Sequence, residues 1–437
     1  MFLDYDVLIA GAGPAGCAAA YDLARAGKRV LMVDRRTFPR HKACACGLTR
    51  KTLRALRYSV EPVVERVCRE VVLQEAGPRF REGVRIADKS CEVRLRTHKV
   101  ICAMAVREKF DAFCLQQTLV AGAVLKKIES VVAVRESAAW VEIDVAVDGV
   151  TETLRAAVLI GADGSNGQMR RLAAGLDAQR DGLRESLRQG AWIESRAAQL
   201  PAEPAWYARG FALEATIPFE VLPPVLPAGD RPQDLVFDFA PIAGGYGWLF
   251  PKGDHINVGV GWFVPKDGAA ARNPEGMACE SVTRGQLESY ARQKLGIELS
   301  KVQAHVSGQH LGLGGHGYAP RGRVVLAGDA AGLVDPLTGE GIFSAIKSGQ
   351  AAAGAVMACA GAESAALSGE YAERLQELQA MLVFSRDAAR SFYREPGRGF
   401  RVIRKRLLRH LMLKTYTDGL PHARLLAALR ATARQIV

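Results

Sequence analysis

The first 34 residues contain two apolar runs separated by an alanine-rich segment with a helical apolar face. Residues 5–10 are apolar and β-favouring, residues 17–25 form the alanine-rich segment, and residues 29–33 are the second apolar run. Gly27 stands just after the predicted helix, where a C-terminal glycine commonly ends one. This pattern predicts a strand, a helix and a second strand in one unit.

The turn between the first strand and the helix has the spacing G-x-G-x-x-G. Its glycines are Gly11, Gly13 and Gly16, and Pro14 and Ala15 lie between the last two. The first glycine allows a tight turn, the second lets the backbone approach a pyrophosphate, and the third lets helix and strand pack closely. The free N–H groups and the dipole at the helix N-terminus favour the same anion.

The second predicted strand ends at an acidic residue. Asp34 lies roughly 20 residues after the glycines, where a carboxylate commonly binds a ribose hydroxyl, and Arg35 follows it. A glycine turn alone is also found in ordinary strand–helix connections. Strand, turn, helix, strand and acid together predict a dinucleotide site, and they leave open which dinucleotide binds.

Period-two runs predict further strands in the first half of the chain, at 70–74, 83–86, 91–96, 131–134, 140–147, 150–154 and 158–160. The first three are expected to form a small sheet inserted between parts of the nucleotide domain. The next three are expected to form a β-meander with Asp148-Gly149 as a hairpin turn.

The residue composition of the chain changes at about residue 176. Prolines cluster from there to about 318, and aromatic strands appear near 235–240, 248–251 and 256–262, which predicts a second domain with an antiparallel sheet. Residues 324–327 resume the pattern of the nucleotide domain, and an alanine-rich helix to about 360 follows. Further helices are expected at 364–383, 400–413 and 424–437.

The predicted fold class is therefore α/β, with a discontinuous Rossmann-like domain, an inserted antiparallel-sheet substrate domain and a C-terminal helical segment. The predicted boundaries are 1–175 for the first part of the nucleotide domain, with a small β insertion at about 70–97, 176–320 for the substrate domain, 321–360 for the second part of the nucleotide domain, and 361–437 for the helical segment.

Length and composition restrict the class of protein. A chain of 437 residues is long enough for two or three domains, and its 24% charged and 49% hydrophobic fractions are ordinary for a globular protein. No apolar run predicts a transmembrane helix, and the first residues lack the basic start of a signal peptide. Nine cysteines at irregular spacings favour a reducing compartment over a disulfide framework, so a cytoplasmic location is expected.

The net charge of +12 is concentrated at the C-terminal end. From Arg386 onward there are 13 Lys/Arg against three Asp/Glu, so the rest of the chain carries only about +2. Basic and apolar positions interleave at 401–413, which suits an interfacial helix and predicts peripheral contact with the inner face of a membrane. A solvated helical face is the alternative. Nucleic acid is not expected as a partner, because the dinucleotide fold gives no reason for it.

Cys44 and Cys46 form a Cys-x-Cys pair in a basic, turn-rich loop after the second strand. A structural zinc site needs about four ligands, usually as two close pairs. No second close pair of Cys or His completes such a set, so no metal is expected. A loop at this position lies near the cofactor of such a fold, which gives two interpretations: a functional thiol, or two small residues in a tight loop.

Four separated motifs narrow the cofactor. They are the glycine turn beginning at Gly11, the R-x-x-F-D run at Arg107, the G-A-D-G run containing Asp163-Gly164, and the G-D-A run at Gly328-Asp329. Together they resemble the FAD-dependent reductases and monooxygenases whose fold is similar to that of p-hydroxybenzoate hydroxylase. The resemblance implies bound FAD, with Asp34 at the adenosine ribose, Arg107 near the cofactor, and Gly328-Asp329 near its ribityl and pyrophosphate part.

A narrower resemblance lies in three stretches. Residues 42–48, K-A-C-A-C-G-L, are similar to the K-x-C-G-x-G-L loop of the geranylgeranyl reductase family, and Y-G-W-L-F-P at 246–251 is similar to its Y-x-W-x-F-P motif. The stretch 335–342 fits the same family. Ala45 and Cys46 depart from the usual glycines, and Gly167 stands where the Asp-Gly motif often has serine. The resemblance adds a set of residues expected near the flavin: Cys46, Gly47, Pro336, Gly339, Gly341 and Ile342.

Geranylgeranyl reductases saturate isolated double bonds on a polyprenyl chain. The resemblance therefore implies an FAD-dependent oxidoreductase that transfers hydride from reduced flavin to C=C bonds of an isoprenoid lipid. Two-residue spacing on a strand places Tyr246 and Trp248 on one face, where they are expected to line an apolar cavity. Tyr246, Cys44 and Cys46, or a water that they hold, are the candidates for delivering the proton. FAD occupies the dinucleotide fingerprint, so the transient reductant is expected to be NADPH or a ferredoxin-like donor.

Two other functions share the FAD motifs. One is a monooxygenase or halogenase acting on an aromatic or other small hydrophobic substrate, although halogenases carry W-x-W-x-I-P where this chain has Tyr246 and Phe250. The other is a flavin-bound scaffold that docks through its basic C-terminal segment. Oxygen consumption with substrate would indicate the first, and tight FAD with no flavin oxidation by any alkene or aromatic would indicate the second.

Overall fold

The computed structural model of the protein describes residues 3–75, 79–81, 84–86, 92–180, 182–189, 191–227, 232–263, 282–359 and 363–419. Within these residues the helices are α1 Pro14–Arg25, α2 Arg50–Ala55, α3 Arg107–Val120, α4 Met169–Arg180, α5 Arg184–Arg188, α6 Arg284–Leu295, α7 Ile342–Ala358, α8 Ser364–Arg394, α9 Pro396–Ile403 and α10 Arg406–Asp418.

The strands of the same residues are β1 Tyr5–Ala10, β2 Val30–Asp34, β3 Gly47–Thr49, β4 Val64–Cys68, β5 Glu70–Gln74, β6 Arg79–Arg81, β7 Val84–Ile86, β8 Glu92–Arg96, β9 Cys102–Ala105, β10 Val124–Lys127, β11 Ser130–Glu136, β12 Val141–Val147, β13 Val150–Gly161, β14 Ile193–Arg196, β15 Ala208–Pro218, β16 Leu235–Asp238, β17 Gly245–Pro251, β18 His255–Trp262, β19 Val306–Leu313 and β20 Val324–Leu326.

The first sheet carries the glycine turn and has the order β10-β2-β1-β13-β12-β11-β14, with β20 also paired to β13. Strands β10, β2, β1, β13 and β20 are parallel, as in other nucleotide-binding sheets. The chain leaves this sheet after β14 and returns to it at β20. The predicted discontinuous α/β fold class is therefore confirmed, while the predicted domain boundaries stay a prediction.

One long strand replaces two predicted ones. The predicted strands at 150–154 and 158–160 are parts of β13, whose first half pairs with β12 and whose second half pairs with β1 and β20. Asp148 and Gly149 have φ of +50° and +75°, as the predicted hairpin turn requires. A single strand forms because each half of it has a partner on the first sheet.

The second sheet has the order β19-β15-β18-β17-β16-β5-β8 and is antiparallel except for the β16–β5 pair. The prediction of a separate small sheet at about 70–97 is therefore wrong for β5 and β8, which form one edge of this larger sheet. Val71 and Val72 of β5 are both buried, and they pack into different apolar clusters. A strand that buries both faces needs cover on both sides, which an isolated small sheet does not provide.

A three-stranded sheet, β3-β9-β4, connects the cysteine loop to the cofactor motif at Arg107. Strand β3 begins at Gly47, directly after Cys46, and β9 ends two residues before Arg107. The amide of Ala105 donates to the carbonyl oxygen of Cys46 at 3.1 Å. This sheet brings two motifs together that lie 60 residues apart in the sequence.

The C-terminal helices pack on the body of the protein. Helix α8 continues to Arg394 rather than ending near 383, because Ser385 and Ala389 are still buried. The Ser385 hydroxyl donates to Asp335 Oδ2 at 2.6 Å, and Tyr393 donates to the carbonyl oxygen of Leu337 at 2.6 Å. The segment is therefore part of the structural support of the 335–342 loop. The helix predicted at 424–437 lies outside the described residues.

The interfacial helix predicted at 401–413 is two helices, α9 and α10, whose apolar residues mostly face the protein. Ile403 and Leu408 are buried, whereas Leu407 is 67% exposed. Among the described helices, none combines enough length with enough apolar character to cross a bilayer. The basic residues Arg401, Lys405 and Arg406 are exposed beside Leu407.

Candidate functional site

The glycine turn has the geometry that a pyrophosphate site needs. Gly11 has a φ of +109°, and a Cβ there would lie 2.3 Å from the carbonyl oxygen of Ala162. A Cβ on Gly16 would lie 1.9 Å from the carbonyl oxygen of Gly11, so these two glycines are required by the turn itself. Gly13 is different, because the nearest atom to its Cβ position is a guanidinium nitrogen of Arg40 at 3.6 Å. Its backbone is open on the side where a pyrophosphate would approach.

Asp34 lies beside this turn at the end of β2. Its Oδ2 accepts a hydrogen bond from the amide of Ala12 at 2.7 Å, and its Oδ1 accepts one from the amide of Arg36 at 2.8 Å. Arg35 is exposed next to it. The carboxylate thus connects the turn to the strand end, at the edge where an adenosine ribose is expected.

Arg40 lies beside the glycine turn and belongs to a cluster of cations with Lys42 and Arg107. Arg107 donates through Nε and Nη2 to Asp111 at 2.9 and 2.8 Å, and Arg40 shares the same carboxylate at 3.1 Å. Burial, followed by the Arg107 charge, lowers the pKa of the Lys42 ammonium. Arg40 and Lys42 were not among the predicted site residues. The basic composition of the loop was the only sequence feature that pointed to these two residues. Composition alone does not indicate which cation faces the cofactor.

The Asp-Gly motif is tightly packed around a buried acid. Asp163 Oδ2 accepts from the Met169 amide at 3.0 Å, and burial raises the pKa of the Asp163 carboxyl to about 6. A Cβ on Gly167 would lie 2.0 Å from the carboxyl carbon of Asp163. Glycine at 167 is therefore required by the position of Asp163 in this chain. Gly164 has a φ of +80°, and Lys42 Nζ lies 4.0 Å from its Cβ position.

The 328–342 region is held from several directions. The amide of Gly328 donates to Ser348 Oγ at 2.9 Å, and the Asp335 Oδ1 atom accepts from the amides of Leu337 and Thr338 at 2.9 Å each. Gly339 has a φ of +67° and packs against the ring of Phe263.

Helix α7 starts at Ile342, directly after Gly341. The predicted residues Asp329, Gly339, Gly341 and Ile342 line a common cavity, whereas Pro336 is buried within the loop and does not.

This cavity, of about 150 Å³, lies between the cofactor motifs and the second sheet. The other predicted residues on its wall are Pro14, Cys44, Cys46, Gly47, Arg107, Tyr246 and Trp248. Gly11, Gly13, Gly16 and Asp34, which are predicted to bind the adenosine end of the cofactor, are not part of its wall. Wall residues that were not predicted include Lys42, Glu214, Phe237, Phe263 and Tyr416, whereas Glu340 lies between the predicted Gly339 and Gly341.

One wall of the cavity is aromatic. Tyr246 and Trp248 lie on one face of β17, as their two-residue spacing predicts, with ring centroids 6.0 Å apart. The ring centroid of Phe237 lies 5.2 Å from that of Tyr246 and 5.0 Å from that of Phe250. The ring centroid of Phe263 lies 4.9 Å from that of Tyr246. Phe237 and Phe263 come from β16 and from the residue after β18, so no local sequence pattern joins them to the motif.

The polar atoms of this aromatic wall are satisfied. The Tyr246 hydroxyl donates to the carbonyl oxygen of Thr338, and Trp248 Nε1 donates to Asn257 Oδ1 at 2.6 Å. Burial raises the pKa of the Tyr246 phenol far above its usual range. The wall therefore presents ring faces and edges to the cavity rather than free polar groups.

The cysteine loop, residues 42–47, lines another part of the same cavity. Cys46 has a φ of +48°, the left-handed backbone conformation that glycine adopts most easily. Its amide donates to Cys44 Sγ at 3.3 Å, and burial, followed by Cys44, raises the pKa of the Cys46 thiol. A Cβ on Gly47 would lie 2.8 Å from Cys102 Sγ, which explains the glycine.

A metal site at these cysteines has no support in the described residues. Within the described part of the chain, the one group of three or more His, Cys, Asp or Glu side chains close enough to share an ion is Glu65, Asp254 and His255. Glu65 already accepts from Lys109 at 2.8 Å, and His255 pairs with Asp254 at 2.6 Å.

Two buried charged residues position the cysteine loop. Lys252 Nζ donates to the carbonyl oxygens of Ala45 and of Ala105, the latter at 2.6 Å. Glu214 of β15 accepts from the amide of Cys44 at 2.7 Å. Sequence reasoning missed both residues. The available signal was a single acid, Glu214, in the otherwise apolar strand F-A-L-E-A-T-I.

The residues of this site fit FAD. The open backbone at Gly13 faces Arg40, which suits a pyrophosphate, and Asp34 lies where a ribose would reach. Arg107, Asp329, Gly339 and Gly341 line the cavity at the start of α7, whose N–H groups suit an anionic flavin. Asp34 would hold the adenosine end of the cofactor, and Gly13 with Arg40 would hold the pyrophosphate. The residues at the start of α7 would hold the ring system. The individual roles predicted for them stay predictions.

Comparison with known proteins agrees with this cofactor. The family described as FAD binding domain matches residues 4–200. The menaquinone reductase of Mycolicibacterium smegmatis is 29% identical over 359 residues, which cover 80% of this chain and 75% of that protein. The geranylgeranyl diphosphate reductase of Rhodobacter capsulatus is 27% identical over 374 residues, which cover 82% of this chain and 76% of that protein.

Solved structures show the same fold. A geranylgeranyl bacteriochlorophyll reductase-like protein from Thermoplasma acidophilum has a TM-score of 0.64 and 21% identity, covering 89% of this chain and 87% of that chain. A flavin-dependent brominase has a TM-score of 0.61 and 17% identity over 99% of both chains. Because a reductase-like protein and a brominase share this fold, the fold alone does not distinguish a reductase from a halogenase.

Proposed function

We propose that this chain, an FAD-dependent oxidoreductase of the geranylgeranyl and menaquinone reductase type, saturates C=C bonds of an isoprenoid lipid. The observation that carries the proposal is the aromatic wall of Phe237, Tyr246, Trp248, Phe250 and Phe263 along the cavity that also contains Gly339 and Gly341. An isolated alkene offers no group for hydrogen bonding, so apolar contact must hold it.

The chain's own residues would bind and orient the substrate. Reduced FAD, when bound, supplies a hydride and its electron pair to the double bond. Tyr246 is fixed by its hydrogen bond to Thr338, which belongs to the loop that carries Gly339, so the wall and the flavin-facing loop keep one relative position. Trp248 is fixed in the same way through Asn257. Exclusion of water by these rings would protect the reduced cofactor from side reactions.

The electron donor is proposed to be NADPH or a ferredoxin-like protein that acts transiently. The glycine turn at Gly11, Gly13 and Gly16 provides one adenosine-dinucleotide site, which FAD takes. A second dinucleotide would therefore bind only for the time needed to reduce the flavin. Stopped-flow reduction by NADPH, compared with reduction by a ferredoxin, distinguishes the two donors.

The main test is anaerobic turnover with dithionite-reduced protein. Prenyl diphosphates, prenylated quinones and prenylated lipid ethers would be supplied, and the products examined by mass spectrometry for added pairs of hydrogen atoms. We expect at least one of these classes to gain hydrogen with matching oxidation of the flavin. Oxygen-dependent hydroxylation or halogenation of an aromatic substrate, with no reduction of any prenyl compound, would instead establish the monooxygenase or halogenase alternative.

We further propose that the exposed basic corner formed by Arg401, Lys405, Arg406 and Leu407 contacts an anionic membrane surface. A lipid-linked substrate has to be drawn from a membrane, and Tyr416 of the adjoining helix α10 lines the cavity. Cations near such a surface contribute about 1 kcal/mol each. The exposed Leu407 side chain adds apolar contact at the same corner.

The double variant Lys405→Gln/Arg406→Gln is expected to reduce binding to anionic vesicles by about 30-fold, because two charges of about 1 kcal/mol each are removed. Vesicle sedimentation measures the effect. The matched control Arg25→Gln/Lys127→Gln removes two exposed charges elsewhere and should leave binding nearly unchanged. Equal losses in both variants would mean that net charge, not this corner, directs binding.

A further inference from the structure

Glu214 is a buried carboxyl that positions the cysteine loop and also brings an acid group to the wall of the cavity. It projects from β15, is 7% exposed, and lines the cavity together with Cys44, Tyr246 and Trp248. Its Oε1 atom accepts from the amide of Cys44 at 2.7 Å, and its side chain is also hydrogen-bonded to Asn257. Asn257 in turn accepts from Trp248, so the carboxyl joins the aromatic wall to the cysteine loop.

The other carboxyls on the cavity wall are already committed. Glu340 Oε2 pairs with Lys51 Nζ at 2.6 Å, and its Oε1 accepts from Thr49 and Thr52 at 2.9 and 3.1 Å. Asp329 belongs to the motif that is predicted to approach the ribityl and pyrophosphate part of FAD. Glu214 therefore differs from both, because it lies between the aromatic wall and the cysteine loop.

Glu214 is also a stronger acid than the other donors at this place. Burial raises the pKa of the Tyr246 phenol and of the Cys46 thiol, both of which are already weak acids. Burial raises the pKa of the Glu214 carboxyl too, although the Cys44 amide, Asn257, Lys252 and Arg107 all act in the opposite direction. A carboxyl with a raised pKa holds its proton to higher pH than an ordinary carboxyl, and it releases that proton more readily than a phenol or a thiol does.

Resting on the proposed function, we propose that Glu214 is the catalytic acid that donates the proton in alkene saturation. The O–H bond of Glu214 breaks, and its proton forms a C–H bond with one carbon of the double bond. The other carbon receives hydride, with both electrons, from reduced FAD, which is oxidised. The alkene π bond is lost, and the Glu214 carboxylate regains a proton from water.

The test compares Glu214→Gln with the wild type. Glutamine retains an acceptor for the Cys44 amide and cannot donate a proton to an alkene. Substrate-driven oxidation of pre-reduced flavin is expected to slow by about 10²- to 10⁴-fold, the usual contribution of a general acid. The wild-type rate should fall as pH rises through the pKa of the carboxyl, and the variant should lose this pH dependence. Glu220→Gln, an exposed acid after the same strand, is the matched control.

A second measurement does not depend on turnover. Infrared difference spectra of the FAD-free proteins, wild type minus Glu214→Gln, should show the C=O band of a protonated carboxyl that disappears as pH is raised. The absence of this band at pH values where the enzyme is active would overturn the proposal. So would a wild-type rate and pH profile in Glu214→Gln, or loss of the pH-dependent step in Tyr246→Phe, Cys44→Ala or Cys46→Ala instead.

These experiments give a different result if the proposed function itself is wrong. In that case the wild type oxidises no reduced flavin with any prenyl substrate, whatever the state of Glu214. If the wild type adds hydrogen to a prenyl chain and Glu214→Gln does so equally fast, the function stands and only the proton donor is wrong.

Discussion

Gly13→Ala is expected to leave the FAD-free protein folded and to weaken FAD binding by about 10- to 100-fold. The Cβ position of Gly13 is free, with Arg40 at 3.6 Å as its nearest neighbour, so the added methyl group fits the protein. The methyl group would occupy the side on which the pyrophosphate is expected to approach the backbone. Loss of one hydrogen bond to a charged group costs about 1.5–3 kcal/mol, which corresponds to this range of affinity.

Gly16→Ala should behave differently. A Cβ there would lie 1.9 Å from the carbonyl oxygen of Gly11, so the turn itself must move and the FAD-free protein should lose stability as well. Thermal unfolding of the FAD-free proteins and fluorescence titration with FAD separate the two effects. Gly27→Ala is the control, because Gly27 has a φ of +77° and lies at the other end of α1. This substitution strains the backbone at a position far from the cofactor site. Wild-type FAD affinity in Gly13→Ala would show that the turn does not hold the pyrophosphate.

Lys294→Met is expected to destabilise the protein by about 3–5 kcal/mol, the usual cost of leaving one member of a buried ion pair alone. Lys294 of α6 and Asp238 of β16 are each 1% exposed, and their charged atoms are 2.5 Å apart. Lys294 also donates to Gln74 Oε1 of β5 at 2.8 Å. The lysine thus connects the helix to two neighbouring strands of the second sheet.

Urea unfolding of the variant, compared with wild type, measures this loss. Lys301→Met removes a lysine that is 75% exposed and pairs with Glu298, so it should cost about 1 kcal/mol or less. Adding Asp238→Asn to Lys294→Met removes the unpaired charge and should restore part of the stability. A loss in Lys294→Met no larger than in Lys301→Met would mean that water reaches Asp238 and solvates it.

Local patterns predicted the local structure well. The apolar run at 5–10 is strand β1 with the predicted bounds, and the Asp148-Gly149 dipeptide forms the predicted turn. Both features depend on interactions between residues close in sequence. The prediction of helix 364–383 was too short, because the continuation to Arg394 depends on burial of Ser385 and Ala389 against distant parts of the chain.

The pairing of β5 could not be read from its sequence. The pattern of apolar and polar residues in β5 is the same whether the strand pairs only with the nearby β8 or also with β16. Strand β16 is more than 160 residues away in the sequence. Likewise, the basic and apolar positions at 401–413 fit an interfacial helix as well as two helices packed on the protein. The location of Ile403 and Leu408 in the interior decides between them.

The sequence by itself indicated the FAD cofactor and therefore an oxidoreductase, because the glycine turn, Asp34 and the motifs at Arg107, Asp163 and Gly328 are short patterns typical of one ligand geometry. Reductases and monooxygenases share these motifs, so the motifs alone did not separate the two reactions. It also predicted that Tyr246 and Trp248 share a face of one strand. Only the tertiary structure decided what completes the cavity. Phe237, Phe263, Lys252 and Glu214 come from separate strands and loops, and they carry no motif. Their chemistry depends on burial and on neighbours that the fold alone brings within a few ångströms.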